Sequence, residues 1–208
     1  MILTKNAAGT FEGFDYELWT QNEGEKAQMT LTGGGTFSCE WEALNCLFRT
    51  GKKLGSVSDY KHYGNMIIDY AAKTEITKGD VCYLGIYGWT VDPLMEFYVI
   101  DKHFAYKPPG GKGFVGKFEV DGGVYEVFVD TRVEQPSIQG TATFPQIFSV
   151  RTEMRDSGII TLHEHFKAWE KMGLDVGGNL YEIALCVEGY NTAGSAEVSK
   201  HVFTMQTL

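Results

Sequence analysis

Positive charge is scarce in this chain: its 208 residues carry 18 Lys and Arg against 27 Asp and Glu, a formal net charge of −9. Phosphate backbones are bound by clustered basic side chains. The basic residues here are scattered, so a nucleic-acid partner is not expected. Nothing approaches the roughly 18 uninterrupted apolar residues of a membrane span, and no membrane segment is expected either. Cysteine is limited to Cys39, Cys46, Cys82 and Cys186, with no C-x-x-C spacing and each in or beside an apolar run. Zinc sites need paired ligands at short spacing, so no metal is expected and the four read as buried free thiols, with one disulfide left open. The apolar run in MILTKNAAGT is too short for a signal peptide. Composition does not choose between a cytosolic chain and a mature or recombinant form.

What is present is a foldable, strand-rich composition. Hydrophobic residues make up 43%, aromatics 13%, and there are 25 glycines, which fits many short strands joined by tight turns. No linker, repeat or low-complexity tract divides the chain, so residues 1–208 read as one domain, a length ordinary for a single all-β sandwich.

From Gly13 to Glu42 three strand-like runs, FDYELWT, AQMTLTG and GTFSCEWEA, are broken at Asn22–Gly24 and Gly33–Gly35, as in successive antiparallel hairpins. NCLFRTGKK and NMIIDYAA read as further strands, separated by a polar segment with Asp59, Lys61, His62 and Gly64. Pro108–Gly111 forbids regular structure, and Asp121–Gly122–Gly123 between two alternating runs signals a hairpin. The turn-rich VEQPSIQGTATF, centred on Pro136–Gly140, separates two strands and reads as the projecting tip of a long hairpin, a candidate flap. Only one helix is convincing: Thr161 and Glu164 form a capping box, Leu162, Phe166 and Trp169 recur at helical spacing, and Gly173 supplies the stop. A dozen or so short strands with one helix imply a two-layer sheet sandwich.

The stretch Val81–Asp101 carries the chemistry. At period 2 its first strand puts Tyr83, Gly85, Tyr87 and Trp89 on one face, and its second puts Glu96, Tyr98 and Ile100 together. A carboxylate on a ring-lined face is costly unless it has a partner or a task. A second carboxylate, Glu188, stands in the apolar run LYEIALCVEGY.

YGWTVDPLMEFYVID around Glu96, PSIQGTATFPQIFSVR, HFKAWEKMG and YEIALCVEGY, with DYELWT, FSCEW, LFRTGKK and PPGGKGF, resemble in order the motifs of glycoside hydrolase family 11, the single-domain endo-β-1,4-xylanases. The resemblance implies a β-jelly roll bent like a partly closed hand, with a concave sheet as substrate cleft, the flap as a thumb and the helix behind. It implies Glu96 as nucleophile and Glu188 as general acid/base of a retaining double displacement. Trp19, Tyr87, Trp89, Tyr98, Arg132, Pro136, Ile138, Gln146 and Tyr190 become substrate-binding residues, with Arg132 beside the nucleophile and Pro136 and Ile138 at the thumb tip. Asn45, through a gapped alignment, falls beside the acid/base, where asparagine goes with near-neutral working pH. The implied partners are xylan and xylo-oligosaccharides, with no cofactor; the implied protein is a secreted monomer. Two departures, Ile147–Phe148 where the family has Tyr-Trp and His103–Phe104 after the nucleophile strand, touch the outer subsites.

Two rivals stay in view. A β-1,4-glucanase would use the same two carboxylates and prefer carboxymethylcellulose to xylan. A carbohydrate-binding lectin would line a cleft with aromatics but lack the acid pair.

Overall fold

The computed structural model describes residues 1–206. In chain order the strands are β1 (Ile2–Leu3), β2 (Ala7–Phe11), β3 (Phe14–Thr20), β4 (Lys26–Gly33), β5 (Thr36–Lys53), β6 (Ile67–Lys78) and β7 (Val81–Val91). They continue with β8 (Met95–His103), β9 (Phe114–Val120), β10 (Gly123–Ser137), β11 (Gly140–Arg151) and β12 (Ser157–Thr161), the helix α1 (Leu162–Lys171), and β13 (Asn179–Thr204). Two of these strands are not short: β5 has 18 residues and β13 has 26.

Those two long strands build both layers. They pair from Glu182↔Lys53 to Val198↔Phe37. The first half of β13 also pairs with β7, and the second half with β6. Along β5, burial alternates from Phe37 to Ala43 and then becomes continuous from Cys46 to Gly51. One half of the strand thus has a solvent face and the other is covered on both faces. The crossing point on β13 is Asn191, at φ 49°, a left-handed conformation that asparagine tolerates better than most residues. One layer therefore runs β1–β4–β5–β13–β6–β12 and the other β2–β3–β5–β13–β7–β8–β11–β10–β9; every pair is antiparallel except β8 with β11.

Strict alternation then sorts the second layer. Cys82, Leu84 and Ile86 of β7, Phe97 and Val99 of β8, and Ile183, Leu185 and Val187 of β13 point into the main core. Their alternates Tyr87, Trp89, Tyr98, Ile100 and Cys186 form a separate cluster on the opposite face. The helix docks on the core side, where Phe97 meets Phe166 and Trp169 at ring separations of 5.1 and 5.9 Å, and Trp169 Nε1 donates to Ser149 Oγ at 2.9 Å. Burial of rings this large contributes on the order of 2–3 kcal/mol each.

Two expectations change in detail. The capping box is not made: the Thr161 hydroxyl and N–H donate to the Asp121 carboxylate, both at 2.7 Å, so no side-chain bond caps the helix from within. Asp121 wins because it sits in the two-residue β9–β10 turn, with positive φ at both Asp121 and Gly122, and is held rigidly facing the helix start. The helix end matches expectation, since Gly173 at φ 82° closes it with Gly173 N–H to Glu170 C=O and Leu174 N–H to Trp169 C=O, both 3.0 Å, a Schellman arrangement. The supposedly turn-rich excursion is paired strand almost to its tip: Ser137 faces Gly140, and the irregularity is a bulge between Arg132 and Gln135, with Glu134 at φ 49°. All four cysteines are buried free thiols.

Candidate active site

Register lays the cleft face out in rows. One row reads Trp19, Leu47, Glu188, Tyr83 and His103. Another reads Glu17, Arg49, Cys186, Gly85, Ile100 and Val150. A third runs Gly51, Ala184, Tyr87, Tyr98, Phe148 and Phe128, and a fourth Glu182, Trp89, Glu96, Gln146 and Asp130. Seven strands thus place these aromatics and the carboxylates Glu96 and Glu188 on one surface.

Glu96 is buried among hydrogen-bond donors. Gln146, its partner in the parallel β8–β11 ladder, donates from Nε2 to Oε2. Tyr98 donates to Oε1 at 3.2 Å. The Tyr87 hydroxyl accepts from Trp89 Nε1, which leaves its own proton directed at Glu96. Burial raises the Glu96 pKa, and Gln146, Tyr98, Tyr87 and the Arg132 charge pull it back. Each of these partners favours the anion.

Glu188 has the opposite surroundings. Its Oε2 is enclosed with no hydrogen-bond partner. Burial first, and then the neighbouring Glu96 charge, push its pKa up to about 7, against smaller opposing effects of Tyr98, Arg49 and Arg132. The Tyr98 hydroxyl therefore touches both carboxyl groups. Below about pH 7 the proton of the pair therefore rests on Glu188.

The other expected residues fall around this pair. Trp19 is half-buried and packs against the Tyr87–Trp89–Tyr98 cluster, as does Ile138 from the thumb tip, while Pro136 is exposed. Phe148 lies flat on Tyr98, with centroids 5.0 Å apart and planes inclined 6°, so the departure from Tyr-Trp leaves an aromatic floor here; Ile147 points into the core. Tyr190 is half-exposed, two residues beyond Glu188, and stands opposite Asn45. Asn45 is offset by one pleat from Leu47, the residue facing Glu188, and no hydrogen bond joins it to the free Glu188 oxygen. Arg132 is exposed and bonded to Gln135 at 3.3 Å. Its charge acts on both glutamates without an ion pair.

A buried ion cluster beside the cleft has no counterpart in the expectations. The Arg49 guanidinium bridges Glu17 and Glu182, the latter at 2.9 Å, and stacks over the Tyr87 ring at 4.8 Å. The available signal was an arginine two residues after Leu47, on the cleft face of a continuously buried strand; LFRTGKK reads instead as a strand ending in basic residues. Among the described residues no group of three His, Cys, Asp or Glu side chains is arranged to hold a metal ion. Among the described residues no helix is long and apolar enough to cross a membrane.

Comparison with known proteins agrees with this geometry. The chain is 47% identical over 201 residues to the bifunctional xylanase/deacetylase of Pseudobutyrivibrio xylanivorans, covering 96% of this chain and 32% of that protein. It is 44% identical over 197 residues to the endo-1,4-beta-xylanase A of Bacillus pumilus, covering 94% and 83% respectively. The chain thus spans about a third of the length of the first relative and most of the second. The solved structure of the family 11 xylanase from Neocallimastix patriciarum superposes with a TM-score of 0.91 at 35% identity, covering 99% of this chain and 100% of that one. Residues 11–199 match the profile described as Glycosyl hydrolases family 11, and the chain belongs to that family, whose β-jelly roll it shares.

Proposed function

We propose that this chain is an endo-1,4-β-xylanase that cleaves internal xylosidic bonds with retention, Glu96 acting as nucleophile and Glu188 as general acid/base. Family membership and the names of the relatives support the reaction and the substrate. One observation carries the roles: Glu96 gathers donors that favour its anion, while Glu188 is pushed up to about 7 by burial and by Glu96.

In the first step a Glu96 oxygen attacks the anomeric carbon as Glu188 gives its proton to the departing glycosidic oxygen. The C–O bond breaks and a glycosyl ester forms. The Glu96 charge is consumed, so the Glu188 pKa falls and its carboxylate takes a proton from water. Hydroxide equivalent adds to the same carbon, and Glu96 leaves as the anion. Tyr87, Tyr98 and Gln146 hold the nucleophile; Trp19, Trp89, Tyr190 and the thumb residues Pro136 and Ile138 offer stacking and roofing surfaces to flat pyranose rings. Residues 1–208 act as one catalytic unit, working as a secreted monomer on a polymer too large to enter cells.

Proton NMR of the first product tests this directly. Release of the β-anomer, before mutarotation, is expected from xylan; initial α-anomer excludes the mechanism. Parallel assays on carboxymethylcellulose separate the glucanase reading, which requires faster release there than from xylan.

A further inference from the structure

Outside the catalytic pair, the same sheet face carries a Glu17–Arg49–Glu182 ion cluster. Arg49 and Glu182 are both buried, and a buried charge is retained only with partners. Their placement is unusual for a structural pair. Arg49 faces Cys186, one pleat from the Leu47–Glu188 row, and its guanidinium lies over Tyr87 at 4.8 Å. Tyr87 is the ring whose hydroxyl, fixed by Trp89 Nε1, is directed at Glu96. Its edges meet Tyr98 at 5.2 Å and Trp89 at 6.3 Å. The guanidinium covers a face of the same ring.

We infer that Arg49 is a positioning residue for the hydrolysis proposed above: held by Glu17 and Glu182, it clamps the Tyr87 ring so that the hydroxyl stays on Glu96, and it supplies the nearest buried positive charge to Glu188. This rests on the assigned roles of the two glutamates. A planar guanidinium suits the task because it can pair with carboxylates in its plane while stacking on a ring. Lysine keeps the charge but not the flat contact. On the face of Glu188 lie Glu96 and Tyr98 from β8, Tyr83 from β7, Arg49 from β5, Cys186 on its own strand and Arg132 from β10, while Cys82 of β7 and Cys46 of β5 stand behind it on the core side. Arg49 and Arg132 are the cations among them. Arg49 lowers the Glu188 pKa, while Glu182 is three rows away.

The test compares Glu182→Gln, Arg49→Lys and the double variant Arg49→Met/Glu182→Gln, which removes the charge without stranding a buried carboxylate. The readouts are the Glu188 titration by carboxyl 13C NMR and kcat on an aryl xylobioside with a good leaving group. Glu182→Gln, with Arg49 still paired to Glu17, leaves the Glu188 midpoint in place. The double variant raises it by at least about half a pH unit, as expected when a neighbouring positive charge is lost at effective ε near 20, and lowers kcat roughly tenfold at unchanged KM. Arg49→Lys keeps the midpoint and lowers kcat. If the double variant loses thermal stability while its midpoint and kcat stay within error of Glu182→Gln, Arg49 is a packing residue and the inference is overturned. The underlying roles fail by a different result, full xylan cleavage by Glu188→Gln, which leaves the NMR midpoints readable in the variants that retain Glu188.

Discussion

Tyr98 donates its hydroxyl to Glu96 at 3.2 Å, and the same oxygen lies against Glu188. The phenol has one proton, and Tyr98 gives it to Glu96. Tyr98→Phe removes that donor from the Glu96 anion, so the Glu96 pKa rises and the acid limb of the bell-shaped pH profile of kcat/KM moves to higher pH. A hydrogen bond to a charged group is worth about 1.5–3 kcal/mol, so activity at the optimum should fall roughly 10- to 100-fold. A profile unmoved on both limbs would remove Tyr98 from the proton economy of the site.

Glu188→Gln should lower xylan cleavage by about 10²–10⁴-fold while sparing cleavage of a xylobioside whose leaving group needs little protonation. In the wild type the alkaline limb should lie near 7, where Glu188 loses its proton. That limb should vanish from the first step of the variant, as read by the burst of the released phenol. Equal loss on both substrates would contradict the assignment.

His165 is fully buried on α1 with neither ring nitrogen bonded. Burial, with Arg155 and Arg151 nearby, depresses its pKa to about 3. The unfolded histidine takes a proton near 6.5 and the folded one does not, so stability is complete above 6.5 and is lost as pH falls toward 3. At about 1.4 kcal/mol per unit, His165→Leu should gain roughly 3 kcal/mol relative to wild type at pH 4 and little at pH 7. Urea titrations at the two pH values would show it; an equal shift at both would make the histidine an ordinary packing residue.

Gly189 follows Glu188 and leaves no room for a methyl group. A Cβ there would lie 2.5 Å from Thr192 Oγ1 and 2.8 Å from Trp41 Nε1, the two atoms of a buried hydrogen bond. Gly189→Ala should therefore cost on the order of 2 kcal/mol and depress kcat by tilting Glu188. Thermal melts and xylan assays check both, and loss of stability with kcat intact would separate the two effects.

The sequence reading succeeded where interactions are local or periodic. The Asp121–Gly122 hairpin, the Gly173 stop and the two faces of β7 and β8 follow from turn chemistry and period 2. Glu96 stood out as a carboxylate among rings, and its tie to Glu188 came through family motifs, since nothing local joins two residues 92 positions apart. The helix starts after Thr161 as expected, but its capping partner was misassigned, because Thr161 had a local partner on paper and a better one, Asp121, across the fold. Arg49 was missed for the same reason: Glu17, Glu182 and Tyr87 come from three other strands. The length of β5 and β13 was hidden because a strand changing layers changes its burial pattern midway and reads as two.

The strand that carries Glu188 is also the one that stitches both layers together, bonded to β5 along most of its length and to β7 and then β6 on its other side. Local opening there would have to break ladders on both flanks at once. Amide exchange at Val187 and Glu188 should therefore belong to the slowest class and proceed only through global unfolding, whereas amides near Ile138 should exchange early. The proposed proton donor is thus built on the part of the molecule expected to melt last, and heat should abolish the fold and the proposed general acid together.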